Sequence, residues 1–214
     1  MMNIKHFIFE VQILICLILL ASCSNSPNIK SHPTVGSADS QNSANFYFDR
    51  ANGNMGNMDL AIIDYNKAIE LNPNLIAAYN NRGSCYSRKG LYDQAIHDYN
   101  KAIELDQKSC LAYNNRGLAY IQKGLYDQAI DDYSKSIEIK PEAVPYMLRS
   151  EAYYKKGLYD QAIADCNKAI ELKKSFQHPA FEAEAYANRG LAFDAKGLYD
   201  KAKSDYTKAI ERRG

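Results

Sequence analysis

The sequence contains no tryptophan and only four histidines. No two of the histidines, which are His6, His32, His97 and His178, have the spacing of metal ligands. A glycine-rich phosphate loop, a nucleophile elbow and a zinc-protease helix motif are also absent from the sequence. We therefore expect no catalytic residues, no metal and no cofactor, and we predict that the protein is not an enzyme.

An excess of charge of one sign is also missing. Lysine and arginine number 26 against 25 aspartates and glutamates. Proteins that bind nucleic acid rely on a basic surface that neutralises phosphates. The balanced charge therefore argues against nucleic acid as a partner and against charge-driven binding to anionic lipid.

The longest apolar run lies near the N-terminus, from Val11 to Ala21, and is interrupted only by Gln12. It is shorter than the roughly 20 apolar residues that a membrane-spanning helix needs. Its position and length are typical of a secretory signal peptide, and we assign this role to residues 1–22.

The apolar run ends in Leu20-Ala21-Ser22-Cys23, which resembles the lipobox of bacterial lipoproteins. The resemblance implies cleavage before Cys23, attachment of diacylglycerol to its thiol, and anchoring to the lipid bilayer through acyl chains. Lipoproteins with Asp after the cysteine are retained in the inner membrane of well-known Gram-negative bacteria. Ser24 takes that place here, which implies the outer membrane, with the protein facing the periplasm. Residues 23–41 are polar and contain proline and glycine, so we expect a flexible tether.

A repeated motif fills the rest of the chain. Gly-Leu-Tyr-Asp-Gln-Ala-Ile begins at Gly90, Gly124 and Gly157, and related copies begin at Gly56 and Gly197. The successive spacings are 34, 34, 33 and 40 residues. In the third repeat the apolar side chains follow the periodicity of one helix face: Tyr126, Ala129, Ile130, Tyr133 and Ile137.

The period and the recurring small and aromatic residues resemble the tetratricopeptide repeat (TPR). The resemblance implies an all-α, right-handed α-solenoid of about five helix-turn-helix units, near residues 42–75, 76–109, 110–142, 143–176 and 183–214. We expect small residues where the two helices of a repeat cross, namely Gly83, Ala95, Gly117, Ala129, Gly190 and Ala202.

Recurring acidic residues are interpreted as a solvated face: Asp98, Asp132, Asp165 and Asp205, together with Glu104, Glu138 and Glu171. In the last repeat Lys203 and Arg212 replace apolar residues, so we expect a terminal unit with a polar outer face. Cys85, Cys110 and Cys166 stand at unequal positions in their repeats, which favours packing cysteines over a disulfide framework.

The first helices of TPR units line a concave groove, so the resemblance implies a partner-binding surface. The predicted groove comprises Asn81, Leu111, Asn114, Asn115, Leu118, Ile121, Met147, Tyr154 and Asn188. In related repeat proteins an asparagine like Asn81, Asn115 or Asn188 can bond the backbone of a bound peptide. The alternative, that these asparagines only shape the helices, stays open.

These observations together predict a membrane-anchored scaffold that binds envelope proteins or peptides in its groove. The alternative is a subunit of an outer-membrane assembly or secretion complex, held through an end of the solenoid. The fold itself specifies no partner.

Overall fold

The structure is a computed structural model that describes residues 39–172 and 178–212. The predicted signal peptide, Cys23 and most of the predicted tether lie outside the described residues.

Ten α-helices and no strands make up the described part of the chain. The helices are α1 (Asp39–Gly53), α2 (Met58–Leu71), α3 (Ile76–Arg88), α4 (Tyr92–Leu105), α5 (Cys110–Gln122), α6 (Tyr126–Ile139), α7 (Ala143–Lys155), α8 (Tyr159–Glu171), α9 (Pro179–Ala195) and α10 (Tyr199–Glu211). The all-α fold predicted from the repeats is confirmed. Because α1 begins at Asp39, residues 39–41 are helical, although the sequence placed them in the tether.

Helices that are consecutive in the chain pack as pairs: α1 with α2, α3 with α4, α7 with α8, and α9 with α10. The chain divides into two compact units, and the boundary falls within α5, between Ala119 and Tyr120.

The turn between the two helices of a repeat depends on its glycine. Gly124 follows α5 with φ of +73°, and Gly90 follows α3 with φ of +76°. This left-handed backbone is strained for residues with a side chain, which explains why the repeated motif begins with glycine. The backbone N–H of Leu125 then donates to the carbonyl of Tyr120 at 2.9 Å and closes the turn.

Small residues lie where the helices of a repeat cross, as predicted. A Cβ atom on Gly83 would lie 2.8 Å from Cε1 of Tyr99, and one on Gly190 would lie 2.7 Å from Cε1 of Tyr206. In the fourth repeat the corresponding residues are Ser150 and Cys166, and both are fully buried. The serine adds atoms on one helix and the cysteine, in place of tyrosine, removes them from the other, so the crossing stays filled.

The interpretation of the repeating aspartates as solvated was wrong, because they are buried. Asp98 is 1% exposed, and Arg82 of α3 binds it with two hydrogen bonds, Nε to Oδ2 at 2.8 Å and Nη2 to Oδ1 at 2.6 Å. Arg149 binds Asp165 in the same bidentate way, at 2.7 and 2.9 Å. An arginine of the first helix thus neutralises an aspartate that its own repeat buries.

The same arginines also join one repeat to the next. Nη1 of Arg82 donates to Oδ1 of Asn66 in α2 at 2.6 Å, and Nη1 of Arg149 donates to Oγ of Ser134 in α6 at 2.8 Å. Each guanidinium therefore holds three helices together.

The first repeat contains the same bond with a different spacing. Arg50 binds Asp64, and 14 residues separate them, whereas 16 residues separate each of the pairs Arg82–Asp98 and Arg189–Asp205. The first repeat is therefore two residues shorter between its arginine and its aspartate.

The recurring glutamates are solvent-exposed, as predicted. Glu104 pairs with Lys101 at 2.6 Å and Glu138 pairs with Lys135 at 2.8 Å, and both glutamate side chains are more than half exposed.

Candidate binding face on the first helices

The predicted groove asparagines of the unit that contains residues 39–119 are all buried, but they differ in their bonds. Nδ2 of Asn81 donates to Oδ1 of Asn52 at 2.9 Å, and Oδ1 of Asn52 also accepts from the Tyr65 hydroxyl at 2.6 Å. Asn81 thus has a structural partner in the first repeat. The side chain of Asn115 makes no hydrogen bond within the described residues.

Two buried amide oxygens in this unit have no hydrogen-bond donor among the described residues: Oδ1 of Asn80 and Oδ1 of Asn114. An unsatisfied buried acceptor costs roughly 1–3 kcal/mol, so such atoms are uncommon in native proteins. Leu111 and Leu118 lie on the same helix as Asn114 and are half-buried, which leaves part of their surface open. This part of α5 therefore offers both apolar surface and an unused acceptor.

In the unit that contains residues 120–212, the predicted groove residues are more enclosed. Met147 is fully buried and Ile121 nearly so, and both side chains therefore present almost no surface. The ring of Tyr154 lies 5.7 Å from that of Tyr159, between centroids, and is half-buried. Asn188 is buried and its side chain makes no hydrogen bond within the described residues.

The sequence analysis missed an acidic pair on the first helices of this unit. Glu151 of α7 is 8% exposed and Glu184 of α9 is 4% exposed, and α7 packs against α9. Oε2 of Glu184 has no hydrogen-bond partner among the described residues. Burial raises the pKa of Glu184 well above its usual value, and the nearby charge of Glu151 raises this pKa further.

Repeat alignment provides the signal that could have revealed this pair. Counted from the loop glycines Gly124, Gly157 and Gly197, Glu151 takes the place of Leu118, and Glu184 takes the place of Leu111. The groove position of Leu118 is therefore acidic in the fourth repeat, and the groove position of Leu111 is acidic in the fifth. Glu151 falls on the predicted groove line of the fourth repeat, whereas Glu184 was not predicted because an apolar stripe does not include an acidic residue.

The cysteines are packing residues in the described structure. Cys85 and Cys166 are fully buried free thiols, and Cys110 is half-buried. Burial raises the pKa of Cys85 to about 11 and that of Cys166 to about 12. Because the thiolate is the reactive species, both thiols are unreactive at neutral pH.

The outer side of α10 is only partly polar. Lys203 and Arg212 are exposed, but so are Tyr199, at 69%, and Ile210, at 60%. The corresponding tyrosines and isoleucines of earlier repeats are half-buried. Apolar side chains that earlier repeats cover are therefore uncovered on this helix.

Residues 39–172 and 178–212 contain neither a membrane-spanning helix nor a metal-binding cluster. None of the helices there combines the length and the apolar character needed to span a bilayer. Within the same residues, no group of three or more His, Cys, Asp or Glu side chains is arranged to hold a metal ion.

Family models of the tetratricopeptide repeat match residues 76–109, 110–142, 143–176 and 183–213, and a model of the TPR repeat matches residues 54–90. These matches cover more than half of the chain, which therefore belongs to the TPR family. Comparison with curated proteins gives no match.

Solved structures of TPR proteins share the fold. A crystal structure of MamA protein is 31% identical, with a TM-score of 0.67, and the alignment covers 79% of this chain and 91% of that chain. MamA 41-end from Desulfovibrio magneticus RS-1 is 19% identical, with a TM-score of 0.70, and the coverages are 80% and 95%. YrrB, described as a TPR protein with an unusual peptide-binding site, is 22% identical, with a TM-score of 0.60 and coverages of 78% and 84%.

Proposed function

We propose that this TPR protein is a lipid-anchored scaffold of the bacterial cell envelope that binds protein or peptide partners on its first helices. Cys23 provides the anchor, and the outer membrane, facing the periplasm, is its location. The scaffold has no catalytic activity of its own.

The observation that carries the proposal is the set of buried amides on the first helices that the fold leaves unbonded. Oδ1 of Asn114 lacks a donor, and the side chains of Asn115 and Asn188 make no hydrogen bond within the described residues. A peptide backbone bound to either unit offers both donors and acceptors, so it would satisfy the groups of that unit. The half-buried Leu111 and Leu118 add apolar contact beside them.

A second candidate function has its own supporting observation. Tyr199 and Ile210 are exposed on α10, where large apolar side chains of earlier repeats are half-buried. This surface favours the role of a subunit held through the end of the last repeat in a larger envelope complex.

Site-specific photocrosslinking in native membranes tests the two functions against each other. A crosslinkable residue replaces Leu118 on the first-helix face, Tyr199 on the end, or Lys101 on the opposite side of the repeat. Crosslinks from position 118 alone support groove binding, and crosslinks from position 199 alone support the end-held subunit. Partners captured equally from position 101 would contradict both.

The groove is also tested by comparing how well two variants, Leu118→Asp and Lys101→Glu, capture the crosslinked partner. Leu118→Asp should abolish capture of the crosslinked partner while leaving helical content near wild type, because half-buried apolar contact area becomes charged. Lys101→Glu should leave capture unchanged. Unfolding of Leu118→Asp, seen by circular dichroism, would mean that Leu118 is a core residue and that the groove lies elsewhere.

The anchor is tested separately. Cys23→Ser should block lipid attachment, so the protein should accumulate as an unprocessed or wrongly processed precursor, whereas the wild type should follow the detergent phase in partitioning. A wild-type mature chain in the aqueous phase, without acyl mass on its N-terminus, would contradict the anchor.

A further inference from the structure

The buried acidic groups of the described structure differ in whether a basic side chain pairs with them. Asp64, Asp98, Asp165 and Asp205 are buried, and an arginine holds each of them with two hydrogen bonds. Glu184 is equally buried, yet no basic side chain of the described residues pairs with it. A buried carboxyl group without a partner is unfavourable, and the fold gives no reason for one here.

A second acidic group makes the position less favourable still. Glu151 of α7 lies close enough to raise the pKa of Glu184, and both groups are at least nine-tenths buried. Lys155 lies 3.6 Å from Glu151, between Nζ and Oε1, at the long end of the range for an ion pair, and it forms no pair with Glu184. Glu184 therefore lacks a cationic partner among the described residues.

Asn188 provides a third, independent polar group at the same place. It follows Glu184 by one helical turn on α9 and so lies on the same face of the helix. It is buried, and its amide makes no hydrogen bond within the described residues. The spacing is suited to a ligand that brings a cation to the carboxyl groups and an amide group to Asn188.

We propose that Glu151 and Glu184 form a subsite for the guanidinium or ammonium group of an arginine or lysine side chain in a bound peptide. Asn188 then bonds the backbone of that peptide. A guanidinium carries five N–H donors in a planar fork, enough to reach both carboxyl groups. The inference rests on the proposed peptide-binding function and adds the chemistry of the partner: a segment with a basic residue at one fixed position.

The location of the pair agrees with this assignment. Counted from the loop glycines, Glu151 and Glu184 occupy the repeat positions of Leu118 and Leu111, the half-buried leucines of the third repeat. The first helices thus carry an apolar surface in one unit and an acidic subsite in the other.

Selection of peptides from a random phage-displayed library against the detergent-purified full chain provides the probe. We expect the selected peptides to share a lysine or arginine. Substituting citrulline for that arginine, or norleucine for that lysine, should weaken binding roughly tenfold or more, because a hydrogen bond to a charged group is lost.

Glu184→Gln and Glu151→Gln should each weaken binding of the basic peptide similarly, and they should barely affect binding of the neutral analogue. Glu138→Gln, an exposed glutamate on α6, is the matched control and should leave binding unchanged.

The outcomes separate this inference from the proposed function. Selected peptides that bind without a shared basic residue, or that lose equal affinity for Glu184→Gln with and without their charge, would overturn the acidic subsite and leave peptide binding intact. Failure to select any peptide, together with crosslinks from position 199 alone, would overturn both. If Glu184→Gln does not fold, the neutral peptide analogue decides, since it leaves the protein unaltered.

Discussion

The arginine–aspartate pairs and two polar residues of the first-helix face differ in how completely their buried oxygens are bonded. Where the first helix meets the second, the arginine–aspartate pairs use both carboxylate oxygens, and Arg82 and Arg149 use a third donor on the preceding repeat. On the first-helix face, Asn114 and Glu184 retain buried oxygens without partners. The arginine–aspartate bonds are complete, and these pairs do not account for the buried oxygens of Asn114 and Glu184.

This difference also separates stability from binding. The stability of each repeat in a repeat protein depends mainly on contacts within that repeat and with the adjacent repeats. The arginines supply both kinds of contact, whereas Asn115 and Asn188 supply no side-chain hydrogen bond of either kind within the described residues. Substitutions on the two sides should therefore separate into effects on unfolding and effects on capture.

The largest loss is expected from breaking an arginine–aspartate pair. Arg149→Ala leaves Asp165 buried without its partner, and the free energy of unfolding should fall by about 3–5 kcal/mol. Lys135→Ala breaks the exposed pair with Glu138 and should stay within about 0.5 kcal/mol. Urea unfolding of the two variants measures the difference.

A double replacement makes the same comparison sharper. Arg149→Met with Asp165→Leu removes both charges and should recover most of the loss, because no buried charge is left unpaired. Equal losses for Arg149→Ala and Lys135→Ala would show that the buried pair contributes no more than a surface pair.

A smaller loss is expected at the helix crossing. Ala129 is fully buried, so Ala129→Leu should overpack the contact and cost about 1–3 kcal/mol. Gln128→Leu introduces the same side chain at the neighbouring exposed position and should be nearly neutral. Thermal unfolding compares them, and similar melting temperatures would mean that the crossing has room to spare.

The sequence predicted the features that repeat and depend on local chemistry. Gly124 and its equivalents marked the turns because left-handed backbone strongly favours glycine, and the glycine at position 83 marked a crossing because a Cβ there meets Tyr99. The amphipathic period predicted the helices. These features require only the order of residues within one repeat.

The features that the sequence did not reveal depend on pairs of residues in different helices. Asp98 appeared solvated because a charged residue on an amphipathic helix usually faces water, while its partner Arg82 lies on another helix. Ser150 and Cys166 fill one crossing from two different helices, and the periodicity of a single helix does not relate them. The first repeat has two fewer residues between its arginine and its aspartate than the second. Arg50 therefore does not align with Arg82 when the repeats are superposed by sequence.

The acidic subsite predicts a dependence of stability on pH. The folded pKa of Glu184 lies above its ordinary value of 4.5, so the folded state holds this proton more tightly than the unfolded chain does. Stability from this group is fully present below pH 4.5 and is lost as pH rises toward the raised folded pKa. Glu184→Gln removes this loss, so the variant should gain stability over wild type as pH rises through that window.

Urea unfolding across this pH window measures the gain for Glu184→Gln, with Glu138→Gln as the exposed control. A gain that is constant with pH, or one that both variants share, would contradict burial of an ionisable group at position 184.

The smallest effect on stability, and the most informative contrast, is expected for the asparagines of the unit that contains residues 39–119. Asn115→Ala removes an amide that makes no hydrogen bond within the described residues, so unfolding should change by less than about 0.5 kcal/mol. Asn81→Ala breaks the bond to Asn52 and should lower the free energy of unfolding by about 1 kcal/mol.

Partner capture should show the opposite order, since the Asn115 amide can bond a peptide backbone while the Asn81 amide already bonds Asn52. Loss of one such bond to a ligand, about 0.5–1.5 kcal/mol, corresponds to a decrease in affinity of roughly twofold to tenfold. If Asn115→Ala destabilises the protein as much as Asn81→Ala and leaves capture unchanged, the asparagines only shape the helices, and binding depends on other residues.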